Sequence, residues 1–341
     1  MSNYVSAEFD YDNDKILVWE RSDSGSRTLK ILQPPRYFYV PCNSGEYTGI
    51  DGTKLKKLEF SSERDFKKAL NEHAAKYESD VSPVARVLMD NYYGVPTPNI
   101  NYAFLDIETD YSGEKGFSSP ENPYAPINAI TIYLSWKKQY LTYVVPPSDI
   151  DKKLFLQKIK QISEEKNLGF IPDVQICSSE KELLIETLST IQDADIISGW
   201  NSEFFDNPYI IKRIEAVLGQ KAVQKMCFVG AKPPTEKILS KFGEPSLTYV
   251  LHGRTHLDYL DVFKKFTYGS RSSYSLANIA AEELDVPKLE YSGTLEELYK
   301  GLHRPKNLNI QNGDAMDELN ILREQIRIEI EKRGLTVPNV K

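Results

Sequence analysis

The chain has 341 residues, 40% of them hydrophobic and 27% charged, which is enough to bury a core and long enough for two domains. Its 42 basic and 49 acidic residues give a net charge of −7, which disfavours bulk electrostatic adsorption to nucleic acid and leaves any such binding to local basic and aromatic grooves. No apolar run is long enough to span a membrane, and Met1-Ser2-Asn3-Tyr4-Val5 lacks signal-peptide character, so no membrane partner is expected and the location expected is the cytoplasm.

Residues 1 to 100 read as a separate, smaller α+β unit. Val5 to Trp19 and Arg27 to Val40 are rich in Tyr, Val and Phe and are broken by Asp-Asn-Asp and Ser-Asp-Ser-Gly-Ser turns, the pattern of antiparallel strands. The basic run Lys54-Leu55-Lys56-Lys57 reads as solvated surface. One helix follows, capped by Ser62, with Phe66, Ala69, Leu70 and Ala74 on one face. Tyr92 to Asn101, with two prolines and a glycine, is the expected linker.

Beyond it, Tyr102 to Ile107 is a short apolar run, followed by a Gly/Ser/Pro/Asn-rich loop to Pro126. Ile127 to Trp136 and Gln139 to Val145 are strand-like and joined by a Lys137-Lys138 turn, so three strands form a meander. Ser179-x-x-Glu182 is a capping box that opens a helix through Leu183, Leu184, Leu188 and Ile191, which feeds a strand over Asp195 to Trp200. Asn207-Pro208 is expected to cap and start a helix that stops at Gly219. A hairpin over Ile238 to Gly253, a strand near Thr255 to Asp258, and helices around Tyr274 to Leu284 and Asp314 to Arg333 complete the unit, with Gly334 as terminator. Three strands and then alternating helices and strands predict an α/β fold with a ribonuclease H-like mixed β-sheet flanked by helices.

Cys42, Cys177 and Cys227 are scattered thiols without CxxC spacing, and the four histidines show no HExxH spacing. Any metal should therefore be oxygen-liganded, and three acidic strings are candidates to hold it. In Phe104-Leu105-Asp106-Ile107-Glu108-Thr109 the two acids are two apart on a strand and share a face. Acids at the end of a buried strand are costly unless neutralised, and a hard divalent cation does this. By itself, the pair could equally be a solvated strand end. In Gly199-Trp200-Asn201-Ser202-Glu203-Phe204-Phe205-Asp206 a strand ends in a tight turn and Asp206 stands at the mouth of the next helix, where a helix-cap role alone is the competing reading. The third string, Asp314-Ala315-Met316-Asp317-Glu318, begins a helix, where an acidic first turn is also ordinary helix-dipole chemistry.

Taken together, the strings resemble the three exonuclease motifs of family B DNA polymerases of the bacteriophage type, members of the DEDD exonuclease superfamily: D-I-E, then N-x-x-x-F-D, then Y-x-x-x-D. Pro126-Ile127-Asn128-Ala129-Ile130-Thr131, Leu257-Asp258-Tyr259, Lys264-Lys265-Phe266 and Ser273-Tyr274-Ser275-Leu276 resemble that family too. The resemblance covers residues 102 to about 333 and extends more loosely over residues 1–100.

It implies an N-terminal domain over residues 1–100, a 3′→5′ proofreading exonuclease domain over 101–334, and a tail, 335–341, toward a polymerase domain that this chain does not carry. The implied chemistry is hydrolysis of the terminal phosphodiester of a single-stranded DNA 3′ end by two Mg²⁺ or Mn²⁺ ions about 3.5–4 Å apart. Asp106 would bridge both ions, Glu108 would hold the one that activates water, Asp206 would bind the other, and Asp317 would support the first. Asn201 resembles the residue that contacts the DNA backbone. Phe117 resembles the aromatic on which an unpaired base stacks, the alternative being that it anchors its loop. Partners implied are the DNA 3′ end, a separate polymerase-domain polypeptide and replication accessory proteins, in the host-cell cytoplasm for a phage protein.

The third motif departs from the family pattern. Its tyrosine position is Gly313 if Asp317 is the ligand and Ile310 if Asp314 is, and neither residue can orient a water. Asp317 is preferred because Ile321, Leu322 and Ile326 then follow at burying offsets, and Asp314 stays open as the alternative. Losing a water-orienting group commonly costs about 10²–10⁴-fold in rate. The competing functional reading is therefore a weakly active or inactive DNA-binding or docking module of a split polymerase.

Overall fold

The computed structural model describes residues 2–109, 118–146, 152–165, 173–241 and 244–284, and the chain divides into two units, Met1–Asn99 and Ile100–Lys341. The helix expected over Asp314 to Arg333, with Gly334 after it, lies outside the described residues.

In the first unit β1 (Ser2–Asp10), β2 (Lys15–Ser22) and β3 (Arg27–Leu32) form an antiparallel meander. The Asp-Asn-Asp turn between β1 and β2 closes on Asp10, whose carboxylate accepts the Asp12 N–H at 3.2 Å and the Asn13 amide at 2.7 Å. A second sheet has the order β4 (Tyr37–Pro41), β6 (Lys54–Glu59), β5 (Tyr47–Thr48). The basic run forms strand β6, whose Lys54 and Lys56 are exposed as expected, while Leu55 between them is buried. Helix α1 (Glu63–Glu72) starts as expected, Ser62 Oγ accepting the Asp65 N–H at 3.1 Å.

A second helix, α2 (Pro83–Tyr92), was not expected, and Tyr92 belongs to it rather than to the linker. Its start carries ordinary signals: Ser82 Oγ accepts the Ala85 N–H at 3.2 Å, and proline occupies the first turn, where a missing N–H costs nothing. Val87 and Tyr92 bury this helix against Ile16 and Val18.

The second unit begins with the predicted meander, β7 (Tyr102–Thr109), β8 (Ile127–Leu134) and β9 (Gln139–Val144). Two elements the sequence reading passed over follow, α3 (Lys152–Glu165) and β10 (Asp173–Ile176), the latter parallel to β9. At α4 (Glu180–Thr190) only half of the capping box forms. Ser179 Oγ accepts the Glu182 N–H at 3.3 Å, but the Glu182 carboxylate takes the N–H of Ser178, at 2.6 Å.

Then come β11 (Ile196–Gly199), α5 (Asp206–Leu218), the one-turn α6 (Gln220–Val223), a hairpin of β12 (Thr235–Lys241) and β13 (Glu244–Val250), β14 (Thr255–Asp258), α7 (Tyr259–Phe266) and α8 (Leu276–Leu284). Helix α5 stops at Gly219, whose φ of 89° is the conformation that lets the chain leave the helix. Asn207 does not cap it. The helix already begins at Asp206, and the cap position, Phe205, makes no side-chain cap bond.

The main sheet has the order β10-β9-β8-β7-β11-β14, with β8 antiparallel to both neighbours and the other pairs parallel. Counted from β7, strands β7, β8, β9, β11 and β14 lie in the order 3-2-1-4-5 with the second reversed, which is the ribonuclease H-like arrangement. One face carries Ala103, Leu105, Ile107, Ile130, Ile132 and Ile197 and is buried against Leu183, Leu184 and Leu188 of α4 and Ile210, Ile211 and Ile214 of α5. On the other, Tyr259 of α7 contacts the Phe104 ring at 5.7 Å. No helix among the described residues is long and apolar enough to cross a membrane.

Candidate active site

Alternation along β7 separates its residues cleanly. Ala103, Leu105 and Ile107 enter the core, and Tyr102, Phe104, Asp106 and Glu108 face the opposite side. Register places Asp106 opposite Thr131 and Glu108 opposite Ala129 of β8, and Thr131 in turn hydrogen bonds Thr142 of β9 at 3.2 Å. The face therefore grades from rings at Tyr102, Phe104, Tyr133 and Tyr140 to carboxylates at the C-terminal end of β7. Beyond Glu108, Phe155 of α3 packs on Ala129 and Val144 and closes that flank.

Asp206 reaches this strand from α5. The β7–β11 ladder ends at Ser198 opposite Phe104, so among the described residues no strand lies beside the later residues of β7 on that edge. Asp206 Oδ1 accepts the Ile107 N–H at 3.3 Å and satisfies a backbone donor that would otherwise be orphaned. The acid thus sits at the peptide between Asp106 and Glu108. It is buried, and burial, reinforced by the charge of Asp258, pushes its carboxyl up to about 7.

The turn from β11 to α5 is tight because of Gly199. A Cβ on Gly199 would lie 2.6 Å from the Leu105 carbonyl oxygen and 2.8 Å from Ser202 Cβ, so only glycine lets the chain turn this close to β7. Asn201 then adopts a left-handed φ of 59°. Asp258, at the end of β14, holds the turn: its Oδ1 accepts the N–H groups of Asn201 at 3.0 Å and Leu260 at 2.9 Å, and its Oδ2 accepts that of Glu203 at 3.0 Å. His256 on the same strand meets Ser202 Oγ at 3.0 Å. Burial lowers the His256 pKa to about 4, so the ring is neutral at physiological pH.

Trp200 lies tilted against Tyr259 and Phe263, ring centroids 6.2 and 5.7 Å away, and donates Nε1–H to the Tyr274 carbonyl at 3.2 Å. On the other side of the domain, the Arg213 fork on α5 pairs with Glu180 on α4 and donates to the Pro123 carbonyl at 3.0 Å, while Glu180 accepts the Ile127 N–H at 2.8 Å. This pair ties α4, α5 and the approach to β8 into one frame.

Of the residues singled out from sequence, Asp106 and Glu108 share a face, Asp206 meets their strand, and Asn201 lies in the turn that leads to Asp206. Phe117, Asp314 and Asp317 lie outside the described residues. Among the described residues no three His, Cys, Asp or Glu side chains are grouped closely enough to hold an ion by themselves. The holding role of Asp258 was missed. Its one local signal was an acid directly before a helix, and what matters here is the contact with a turn more than fifty residues earlier.

The family model described as the DNA polymerase family B exonuclease domain matches residues 50–279, beginning inside the first unit. The DNA-directed DNA polymerase of Enterobacteria phage T4 is 30% identical over 343 residues, covering 93% of this chain and 37% of that protein. The DNA-directed DNA polymerase of Escherichia phage RB69 is 29% identical over 232 residues, covering 64% of this chain and 25% of that one. A DNA polymerase of Pyrococcus horikoshii is 32% identical over 97 residues, 28% of this chain and 7% of its own. The chain thus spans between a quarter and two fifths of the length of its phage relatives. With two thirds of its residues inside one family model, the chain belongs to DNA polymerase family B as a bearer of that family's exonuclease domain.

Proposed function

We propose that the chain is a 3′→5′ exodeoxyribonuclease that removes the terminal nucleotide of a single-stranded DNA 3′ end, the proofreading activity of a family B DNA polymerase. Residues 1–100 are taken as the N-terminal domain and 101–334 as the exonuclease domain. The observation that carries this reading is the Asp206 carboxylate seated on the Ile107 N–H, between two acids that share one face of β7.

The donor chemistry fits a hard cation: carboxylates on β7 and at the start of α5, one of them buried with a raised proton affinity. Asp106, Glu108 and Asp206, with Asp317 as the fourth acid, would hold two Mg²⁺ or Mn²⁺ ions. Such ions supply a hydroxide-generating charge near neutral pH and stabilise the leaving 3′ oxygen. Asn201, held in a left-handed turn, would contact the backbone of the strand, and Phe117 would supply the ring on which its last base stacks. The partners proposed are the DNA 3′ end, a polymerase-domain polypeptide and replication accessory proteins in the host-cell cytoplasm.

A 5′-labelled single-stranded oligonucleotide incubated with Mg²⁺ or Mn²⁺ tests the reading. Stepwise shortening from the 3′ end, lost with chelator and in Asp106→Ala, is the expected result. Retention of the oligonucleotide without cleavage under every metal condition would instead establish a docking module, the reading favoured by the Gly313 that stands where a motif tyrosine is expected.

A further inference from the structure

We infer that Asp258 is a positioning residue for DNA binding: its two carboxylate oxygens lock the Asn201–Glu203 turn in the one conformation that presents Asn201 to the substrate strand. The inference rests on the exonuclease reading above. Asn201 takes a left-handed φ of 59°, a conformation uncommon outside glycine though better tolerated by asparagine than by most residues, and the turn around it is held by contacts from β14. Here, the Asn201 N–H is 3.0 Å from Asp258 Oδ1 and the Glu203 N–H 3.0 Å from Oδ2, so one buried carboxylate grips the turn on both sides of Ser202. His256, two residues earlier on β14, takes Ser202 Oγ at 3.0 Å, so the edge strand contacts three consecutive residues of the turn. Asp206 has its own anchor on the Ile107 N–H, and the grip therefore acts on the DNA-contacting turn more than on the reacting centre.

A merely structural role for Asp258 exists and can be separated out. Asp258 is also the N-cap of α7, through the Leu260 N–H at 2.9 Å. In Asp258→Ser a hydroxyl keeps that cap but is too short and too poor in acceptors to hold Asn201 and Glu203 as well. In Asp258→Asn one oxygen remains for Asn201 and Leu260, while the amide nitrogen turns a donor toward the Glu203 N–H.

The test uses the full chain and an oligodeoxythymidylate with a free 3′ hydroxyl. Steady-state cleavage is measured with Mg²⁺, fluorescence-anisotropy binding with chelator, and melting temperature for every variant. Asp258→Ser is expected to raise both KM and the chelator Kd about tenfold or more, with kcat within about threefold and melting within a few degrees of native. Asp258→Asn should fall between native and serine. Unchanged KM and Kd in the serine variant overturn the inference. A loss confined to kcat overturns it as well, because Asp258 would then act through Asp206. So does a KM change that follows the loss of melting temperature across the two variants. A native chain that neither cleaves nor binds the oligonucleotide sinks the exonuclease reading itself, and the inference with it.

Discussion

Replacing Asp206 with asparagine removes one ionisable proton while keeping a carbonyl that can still accept the Ile107 N–H. In the native chain, burial and the nearby charge of Asp258 raise this carboxyl from an ordinary 3.8 to about 7. The folded state then binds the proton more tightly than the unfolded chain does. The stabilising contribution of the protonated acid is complete below 3.8 and is lost as pH rises through about 7. With no cation present, keeping Asp206 ionised at pH 8 costs roughly 2–4 kcal/mol, the lower figure allowing for relaxation of the buried site. Thermal unfolding by circular dichroism in chelator should place Asp206→Asn on the order of 5–10 °C above the native chain at pH 8. The gap should shrink by more than half at pH 5, where the native carboxyl is already protonated in the folded state. Adding Mg²⁺ at pH 8 should raise the native melting temperature by more than that of the variant, which keeps Asp106 and Glu108. A variant that melts at or below the native chain in chelator at pH 8 would refute the reasoning, for the buried acid would then not be the liability its surroundings imply.

Five other substitutions, two of them combined in one chain, probe the frame around it. Asn207 is buried with neither amide atom hydrogen-bonded, so Asn207→Val should stabilise the chain by about 1–2 kcal/mol in urea unfolding. Gly199→Ala should cost about 1–3 kcal/mol, because its methyl would press into the Leu105 carbonyl oxygen and Ser202. His256, with its pKa lowered from 6.5 to about 4, contributes stability that is present above 6.5 and lost as pH falls through about 4, the opposite sign to Asp206. His256→Gln should therefore flatten the acid limb, removing roughly 1–3 kcal/mol of the difference between pH 4.5 and 7 measured by denaturant unfolding. Arg213→Ala should lose about 3–5 kcal/mol by leaving the Glu180 carboxylate buried without its guanidinium, and Glu180→Gln in the same chain should recover part of that loss.

The face shared by Asp106 and Glu108 was legible in sequence because strand side chains alternate with a period of two, and nothing distant is needed to know that positions two apart point alike. The meander from β7 to β9 was legible for the same reason. Strand β6 was not, since three of its six residues are lysines and its strand character comes from Leu55 facing inward beside β4 and β5. Helix α2 was overlooked although Ser82-Pro83 announces it, because the prolines and glycine after Tyr92 drew the linker too early. Asn207 misled in another way. An asparagine before a proline has the chemistry of a cap, yet here it lies one residue inside the helix, three and four residues ahead of Ile210 and Ile211. Whether the acids meet was beyond local reasoning, since Asp206 finds Ile107 across ninety-nine positions of sequence.

The site arises from a mismatch in strand length. Strand β11 pairs with β7 only as far as Ser198, whereas β7 continues to Thr109 paired, among the described residues, with β8 alone. An unpaired edge inside a folded domain must have its donors satisfied, and here a side chain takes over where backbone pairing stops. That side chain can arrive because Gly199 lets the chain turn against the Leu105 carbonyl. The acid serving as backbone acceptor is thereby delivered to the end of the strand that carries two further acids on one face. Shortening the gap, for instance by a substitution that lets β11 pair one residue further, would satisfy the Ile107 N–H without Asp206 and so remove the reason for its placement. The same hydrogen bond is thus a folding requirement of the sheet and the positional constraint on the site.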